Sequence, residues 1–193
     1  MTKETKSTIV QAAKRQFSLN GYEGFTMRTL AKESGVGLSS IYHFFKDKDI
    51  LLKYIFDQTN TQLGTQRALL PKRRSAQKML HDRIVFQFTH IEDVVFVLKY
   101  YLHYRSDFLK LESGFLPSKA YLHIEEVLAY GRITREFIFA NSVEEEAKVI
   151  AHAINGFLLE YYPNPPKGAE LNRVTNSIFR FLMRALTNKE VIM

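Results

Sequence analysis

The sequence predicts an all-α chain: an N-terminal three-helix helix-turn-helix domain followed by a larger helical domain, about nine helices in all. Three observations predict it. Apolar residues recur at helical spacing along most of the 193 residues, with little strand-like alternation. Glycine and proline gather at separated breaks, in "NGYEG", "SGVG", "LLPKRRS" and "YYPNPPKGAE". Between the first two of these breaks and shortly after them, the helical segments are very short.

The elements follow in order. In the opening segment Ile9, Ala12, Ala13, Gln16 and Phe17 make one mostly apolar face, and Gly21 stands where a helix end favours a left-handed residue. Thr26 is a natural N-cap for a short second helix whose inner side carries Met27, Leu30 and Ala31. Gly35 closes that helix, and Leu38, Ile41 and Phe45 share one face of a third. Asp47 caps a fourth, lined by Leu51, Leu52, Ile55 and Phe56 and ending near Leu69 before Pro71. Further helices are predicted at 75–89, 91–108, 118–133, 142–161 and 169–187. Ser142 with Glu145 is an S-x-x-E capping box, and the prolines of "YYPNPPKGAE" separate the last two helices. Two domains result, 1–47 and 48–193.

Composition narrows the chemistry. Cysteine is absent, which excludes disulfides, thiol catalysis and cysteine-ligated zinc and points to a reducing interior. No apolar run is long enough to span a bilayer and the first residues lack a signal-peptide core, so a soluble cytoplasmic protein is expected. The net charge of +7 is unevenly placed: residues 1–56 carry 9 Lys/Arg against 5 Asp/Glu, and the remainder 18 against 15. A basic excess concentrated at one end is the electrostatic footprint of a phosphate-binding surface.

A short helix, a glycine turn and another short helix is the layout of a helix-turn-helix. With Leu38, Ile41 and Phe45 turned inward, the third helix presents Ser39, Ser40, Tyr42 and His43 outward. Small residues at its start, Gly37 among them, let the backbone approach base edges, and serine hydroxyls donate or accept there. Tyr42 and His43 are long enough to reach flanking phosphates. Thr26 with the open N–H groups of the second helix suits a phosphate, Arg28 reaches a phosphate or a base, and Lys46 and Lys48 flank the start of the fourth helix. Only Ser39, Ser40 and Arg28 are base-reading candidates, so DNA shape shares the burden.

The stretch "FTMRTLAKESGVGLSSIYHFFKDKDILL" resembles the DNA-binding domain of the TetR (tetracycline repressor) family, through Thr26, "LAKESGV", "IYHFF" and "KDKDILL" in order and spacing. The likeness covers roughly residues 5–56. It implies a homodimer whose two recognition helices read an inverted repeat in double-stranded DNA. It further implies a C-terminal helical domain with a small-molecule pocket and a dimer interface formed by the last two helices. Two positions depart from the family's habit: Gly37 replaces a capping Ser or Thr, and Leu38 stands where Lys or Arg is frequent.

Residues 57–193 contain 10 Phe and 7 Tyr. Either they fill a helical core or some line a cavity for a flat or lipophilic effector; Phe88, Tyr100, Tyr104 and Tyr121 are the pocket candidates. For the dimer face, Val149, Ala153, Gly156 and Phe157 are spaced along one helix, with Ile178 and Leu182 on the last. Leu158, Leu159, Phe179, Phe181, Ala185 and Leu186 extend these surfaces. The five histidines beyond residue 57 show no i, i+4 pair, and no metal or other cofactor is expected.

Three functional classes remain in view. A ligand-responsive regulator, most simply a repressor, leads. An adaptor whose C-terminal domain docks a protein would use the same residues. An enzyme is disfavoured, since G-x-S-x-G, H-E-x-x-H and glycine-rich phosphate loops are all missing.

Overall fold

The computed structural model describes residues 3–72, 75–105 and 121–187, and these hold nine helices and no strand. They are α1 (Lys3–Gly24), α2 (Met27–Ser34), α3 (Leu38–Phe44), α4 (Lys48–Ala68), α5 (Ala76–Thr89), α6 (Ile91–His103), α7 (Leu122–Ile133), α8 (Val143–Tyr161) and α9 (Gly168–Thr187). The all-α prediction therefore holds in kind and nearly in boundaries. The predicted ends of two helices, residues 106–108 and 118–120, lie outside the described residues. The expected break at Gly21 is present: Gly21 adopts φ 70°, ψ −173° and interrupts the helical geometry, and a short helical stretch continues past this kink to Gly24.

Packing divides the chain into two compact units, residues 1–66 with 92–108, and residues 67–91 with 109–193. The first unit is built around Ile9, Ala13, Phe17, Phe25, Leu30, Ile41, Leu52, Ile55 and Phe96, all essentially sealed from water. Phe17 meets Phe96 edge-on at 5.3 Å between centroids, and Tyr100 stacks on Phe56 at 4.4 Å. Polar ties reinforce α6: Lys14 pairs with Asp93 at 2.6 Å, and Lys99 donates to the Ser18 carbonyl at 2.5 Å. The 1–47 boundary separates residues by expected role; the packing unit continues through α4 to Gln66.

In the second unit α5 packs against α7, α8 and α9, and α7 against α8. Leu80, Ile84, Ile124, Val127, Leu128, Ile154, Leu158 and Leu186 form its buried apolar interior. Ser142 starts α8 with the predicted capping box: its hydroxyl accepts from the Glu145 N–H at 3.2 Å, and Glu145 accepts from the Ser142 N–H at 3.1 Å. Glu136 does similar service in trans, taking the Ala76 and Gln77 N–H groups at the open start of α5. Gly131 leaves room for a ring, since a Cβ there would lie 2.1 Å from Phe137 Cδ2.

Candidate nucleic-acid interface

The geometry begins at Thr26. Its hydroxyl accepts from the Thr29 N–H at 3.1 Å, while Thr29 Oγ1 accepts from the Thr26 N–H at 3.2 Å, a reciprocal box built from two threonines. That box occupies the third amide of α2 and leaves those of Met27 and Arg28, first-turn groups without intrahelical acceptors. Gly35 ends α2 at φ 68°, ψ 9°, the left-handed geometry glycine adopts without steric penalty. The chain can therefore turn sharply into Val36, which packs against the core.

The third helix has seven residues, far below the roughly 12–15 at which an isolated helix becomes even marginal. Tertiary burial must hold it. Ile41 is fully buried and Phe45, just past the helix, nearly so; a side chain of this size contributes about 1.5–3 kcal/mol when withdrawn from water. Gly37 starts α3 without a side-chain cap. With Ile41 inward, Ser39, Tyr42 and His43 are exposed, Ser40 is half-exposed, and Leu38 packs partly against the core. Tyr42 keeps 49 % of its surface in water. Arg28, on the exposed side of α2, and Lys46, between α3 and α4, are also exposed.

Lys48 differs from its neighbours. Its ammonium lies 3.6 Å from the Tyr22 ring centroid and donates to the Tyr22 carbonyl at 3.4 Å, so the fold already engages it. Asp47 caps α4 as expected, accepting from the Ile50 N–H at 2.8 Å. Beside it, Asp49 accepts hydroxyl hydrogen bonds from Tyr22 (2.8 Å) and Tyr104. Burial and then the bond to Asp49 push the Tyr22 hydroxyl up to about 12, and Tyr104 is raised by the same causes. Burial favours the neutral form of Asp49, but the two hydroxyls, Lys48 and His103 outweigh it and hold the carboxyl below its ordinary value. Tyr22, stacked on His103 at 3.8 Å, thus ties α1, α4 and α6 together beside the α3–α4 junction.

Several placements expected from the sequence change here or in the second unit. Tyr100 and Tyr104, taken as pocket candidates, belong to the first unit's core and to the Asp49 cluster. Phe88 is buried edge-on to Tyr161, and Tyr121 donates to Glu144 at 3.0 Å from the start of α7. The four are divided between the two units. On the proposed dimer face, Ile178 and Leu182 are corrected: both point into the second unit's own core, because Val174, Ile178, Leu182 and Leu186 form the inward stripe of α9. Leu158 is likewise sealed. The outward surface carries Val149 (59 % exposed), Gly156 and Phe181 (57 % exposed), with Phe157 edge-on to Phe181 at 6.3 Å and Ala153 half-buried.

Sequence reasoning missed Thr29, which the T-x-x-T spacing encodes, and Lys6, whose ammonium sits 4.0 Å from the Tyr54 ring centroid. Among the described residues, no group of three or more His, Asp or Glu converges on a metal position, and no helix is long and apolar enough to cross a membrane.

Residues 9–55 match the family model described as bacterial regulatory proteins, tetR family. An HTH-type transcriptional regulator of Staphylococcus aureus (strain USA300) is 36 % identical over 56 residues, which cover 29 % of this chain and 30 % of the relative. The match thus spans under a third of the length of the curated relatives. Among solved structures, the MbdR regulator from Azoarcus sp. CIB aligns with TM-score 0.68 at 20 % identity, over 95 % of this chain and 100 % of that one. FadR from Bacillus subtilis, solved with stearoyl-CoA, aligns with TM-score 0.62 at 19 % identity, over 93 % and 98 %. At these identities the two structures establish a shared fold.

Proposed function

We propose that this chain, which belongs to the TetR family of bacterial regulatory proteins, is a homodimeric repressor that binds an inverted-repeat operator and is released by a small lipophilic or aromatic effector. The observation that carries the reading is the outward face of α3, where Ser39, Ser40, Tyr42 and His43 meet water on a helix anchored from behind by Ile41. Residues 1–47 read DNA in the cytoplasm, and residues 48–193 supply the effector site and the dimer. Thr26, Arg28, Gly37, Leu38 and Lys46 frame the same surface; phosphate contacts there set register, and the serines read base edges. Val149, Ala153, Gly156, Phe157 and Phe181 offer the partner an apolar surface with little side-chain bulk at its centre.

An effector shifts the equilibrium between DNA-competent and released forms only through its different affinity for the two. Operator DNA must therefore weaken effector binding by the same factor. Selection of genomic fragments by the purified protein, followed by footprinting across a salt series, tests the DNA reading. Protection of a short inverted repeat, with affinity falling steeply as salt rises, is the expected result. Retention of fragments regardless of sequence overturns it.

A further inference from the structure

The second unit contains two guanidinium groups, those of Arg67 and Arg83, that share one loosely placed carboxylate among the described residues. Arg83, on α5, is only 5 % exposed. Its Nη1 donates to the carbonyl oxygen of Arg67 at 3.1 Å, and its Nη2 lies 4.0 Å from Glu126 Oε2, beyond hydrogen-bond reach. Glu126 itself keeps 67 % of its side chain in water. Arg67, in the last turn of α4, places its guanidinium 5.7 Å from the Phe86 ring centroid, and its Nε is buried without an acceptor. Each group feels burial first; Arg67 in addition feels the repelling charge of Arg83, and Arg83 the opposing charge of Glu126.

Helix capping explains part of this arrangement. The C-terminus of α4 carries roughly half a negative charge, which offsets one guanidinium at best. At least one positive charge is left without a close counter-charge among the described residues, and a buried unpaired charge is among the least favourable features a core can hold. Leu80, Ile84 and Phe86 are buried on the same helix as Arg83, and the Phe86 ring faces the Arg67 guanidinium. We infer that Arg67 and Arg83 anchor an anionic group, a carboxylate or a phosphate, carried on an otherwise apolar molecule. Planar guanidinium forks match either oxyanion, and Arg67 Nε supplies a donor that has no other acceptor. The inference rests on the effector reading above and names the effector's chemical class.

Calorimetric titration of the full-length protein with decanoate, decyl phosphate and uncharged decanol tests it, with inorganic phosphate as a tail-free probe followed by thermal shift. Both charged chains should bind at least roughly tenfold more tightly than decanol, and their order identifies which oxyanion is preferred. Arg67→Met keeps a flexible apolar side chain over Phe86 and removes one of two repelling charges. Its ligand-free melting temperature should hold or rise, while the preference for anions over decanol disappears. Arg83→Lys, which retains charge but loses the fork, should weaken decanoate less than Arg67→Met does. Equal affinity for the three chains overturns the inference, as does no response to any probe. So does an Arg67→Met protein that melts earlier yet keeps its anion preference. Operator retention measured on the same samples separates the two readings: anion binding that leaves DNA affinity unchanged rejects the effector role while preserving the site.

Discussion

Asp49 in the first unit and the Arg67–Arg83 pair in the second are both charges partly withdrawn from water, and the fold treats them in opposite ways. Around Asp49 the complement is over-provided: two tyrosine hydroxyls donate to it, and Lys48 and His103 add positive charge. Around the arginines it is deficient among the described residues, with one water-facing carboxylate 4.0 Å from Arg83 and a buried Arg67 Nε lacking an acceptor. A satisfied cluster fixes geometry, because every member loses a partner when any one moves. A deficient one stores an unmet interaction that an incoming group can complete. The difference separates a joint that fixes α4 beside the proposed DNA-reading face from a pair of charges that the proposed effector would complete.

Holding two like charges away from water requires an unyielding frame, and the largest expected effect tests that frame. Gly131→Ala sets a Cβ 2.1 Å from a ring carbon of Phe137, itself buried. Overpacking of this kind should lower unfolding stability by about 3 kcal/mol in urea titration. A change below about 1 kcal/mol would show that the second unit gives way easily, and the contrast with the first unit would lose its basis.

Next in size, Asp49→Asn removes the ionised acceptor shared by Tyr22 and Tyr104. Hydrogen bonds to charged groups contribute about 1.5–3 kcal/mol when well shielded; Asp49 is still partly in water, so a loss of about 1–2 kcal/mol is expected. The same contact has a pH signature. Because the Asp49 carboxyl titrates below its ordinary value of 3.8, its stabilisation is present above that value and disappears as pH falls through the folded-state value. The Tyr22 hydroxyl is raised from 10.0 to about 12, so stabilisation is intact below pH 10 and lost as pH climbs toward 12. Urea midpoints measured across pH should show both shoulders in the native chain. In Asp49→Asn the acid shoulder should vanish and the alkaline one shrink to the part that burial of Tyr22 causes; an unchanged alkaline shoulder would detach it from Asp49.

The smallest effects sit on α3 and concern binding alone. Tyr42→Phe should weaken binding to every DNA sequence by a similar factor, because a phosphate contact carries no sequence information. Ser40→Ala should cost about 1 kcal/mol or less and alter preference at one base step. Uniform loss across operator variants for Ser40→Ala removes its reading role. Neither substitution should move the urea midpoint, in contrast to Asp49→Asn.

What the sequence could disclose was local. Thr26, Gly35, Asp47 and Ser142 each act within four residues of themselves, and the structure uses each as its residue type predicts. The outward face of α3 was legible because Ile41 and Phe45 leave only one side free. Interactions across long separations were not. Nothing near Tyr104 announces Asp49, 55 positions away, and nothing near Arg83 announces that Arg67 will share its burial. The aromatic residues misled for a related reason: a ring that fills a core and a ring that lines a cavity have the same spacing, and neighbours alone separate them. Ile178 and Leu182 read as a dimer face because an apolar stripe does not say whether its own chain or a partner covers it.

The division of labour within α3 has a consequence for descent. Its fold contacts run through Leu38, Ile41 and Phe45, while Ser39, Tyr42 and His43 face away from them. Mutations on the outer side therefore drift almost free of selection for stability, and those on the inner side do not. If the outward face reads DNA as proposed, a gene duplicate could acquire a new address on the chromosome by exchanging three or four outward residues while keeping the same scaffold.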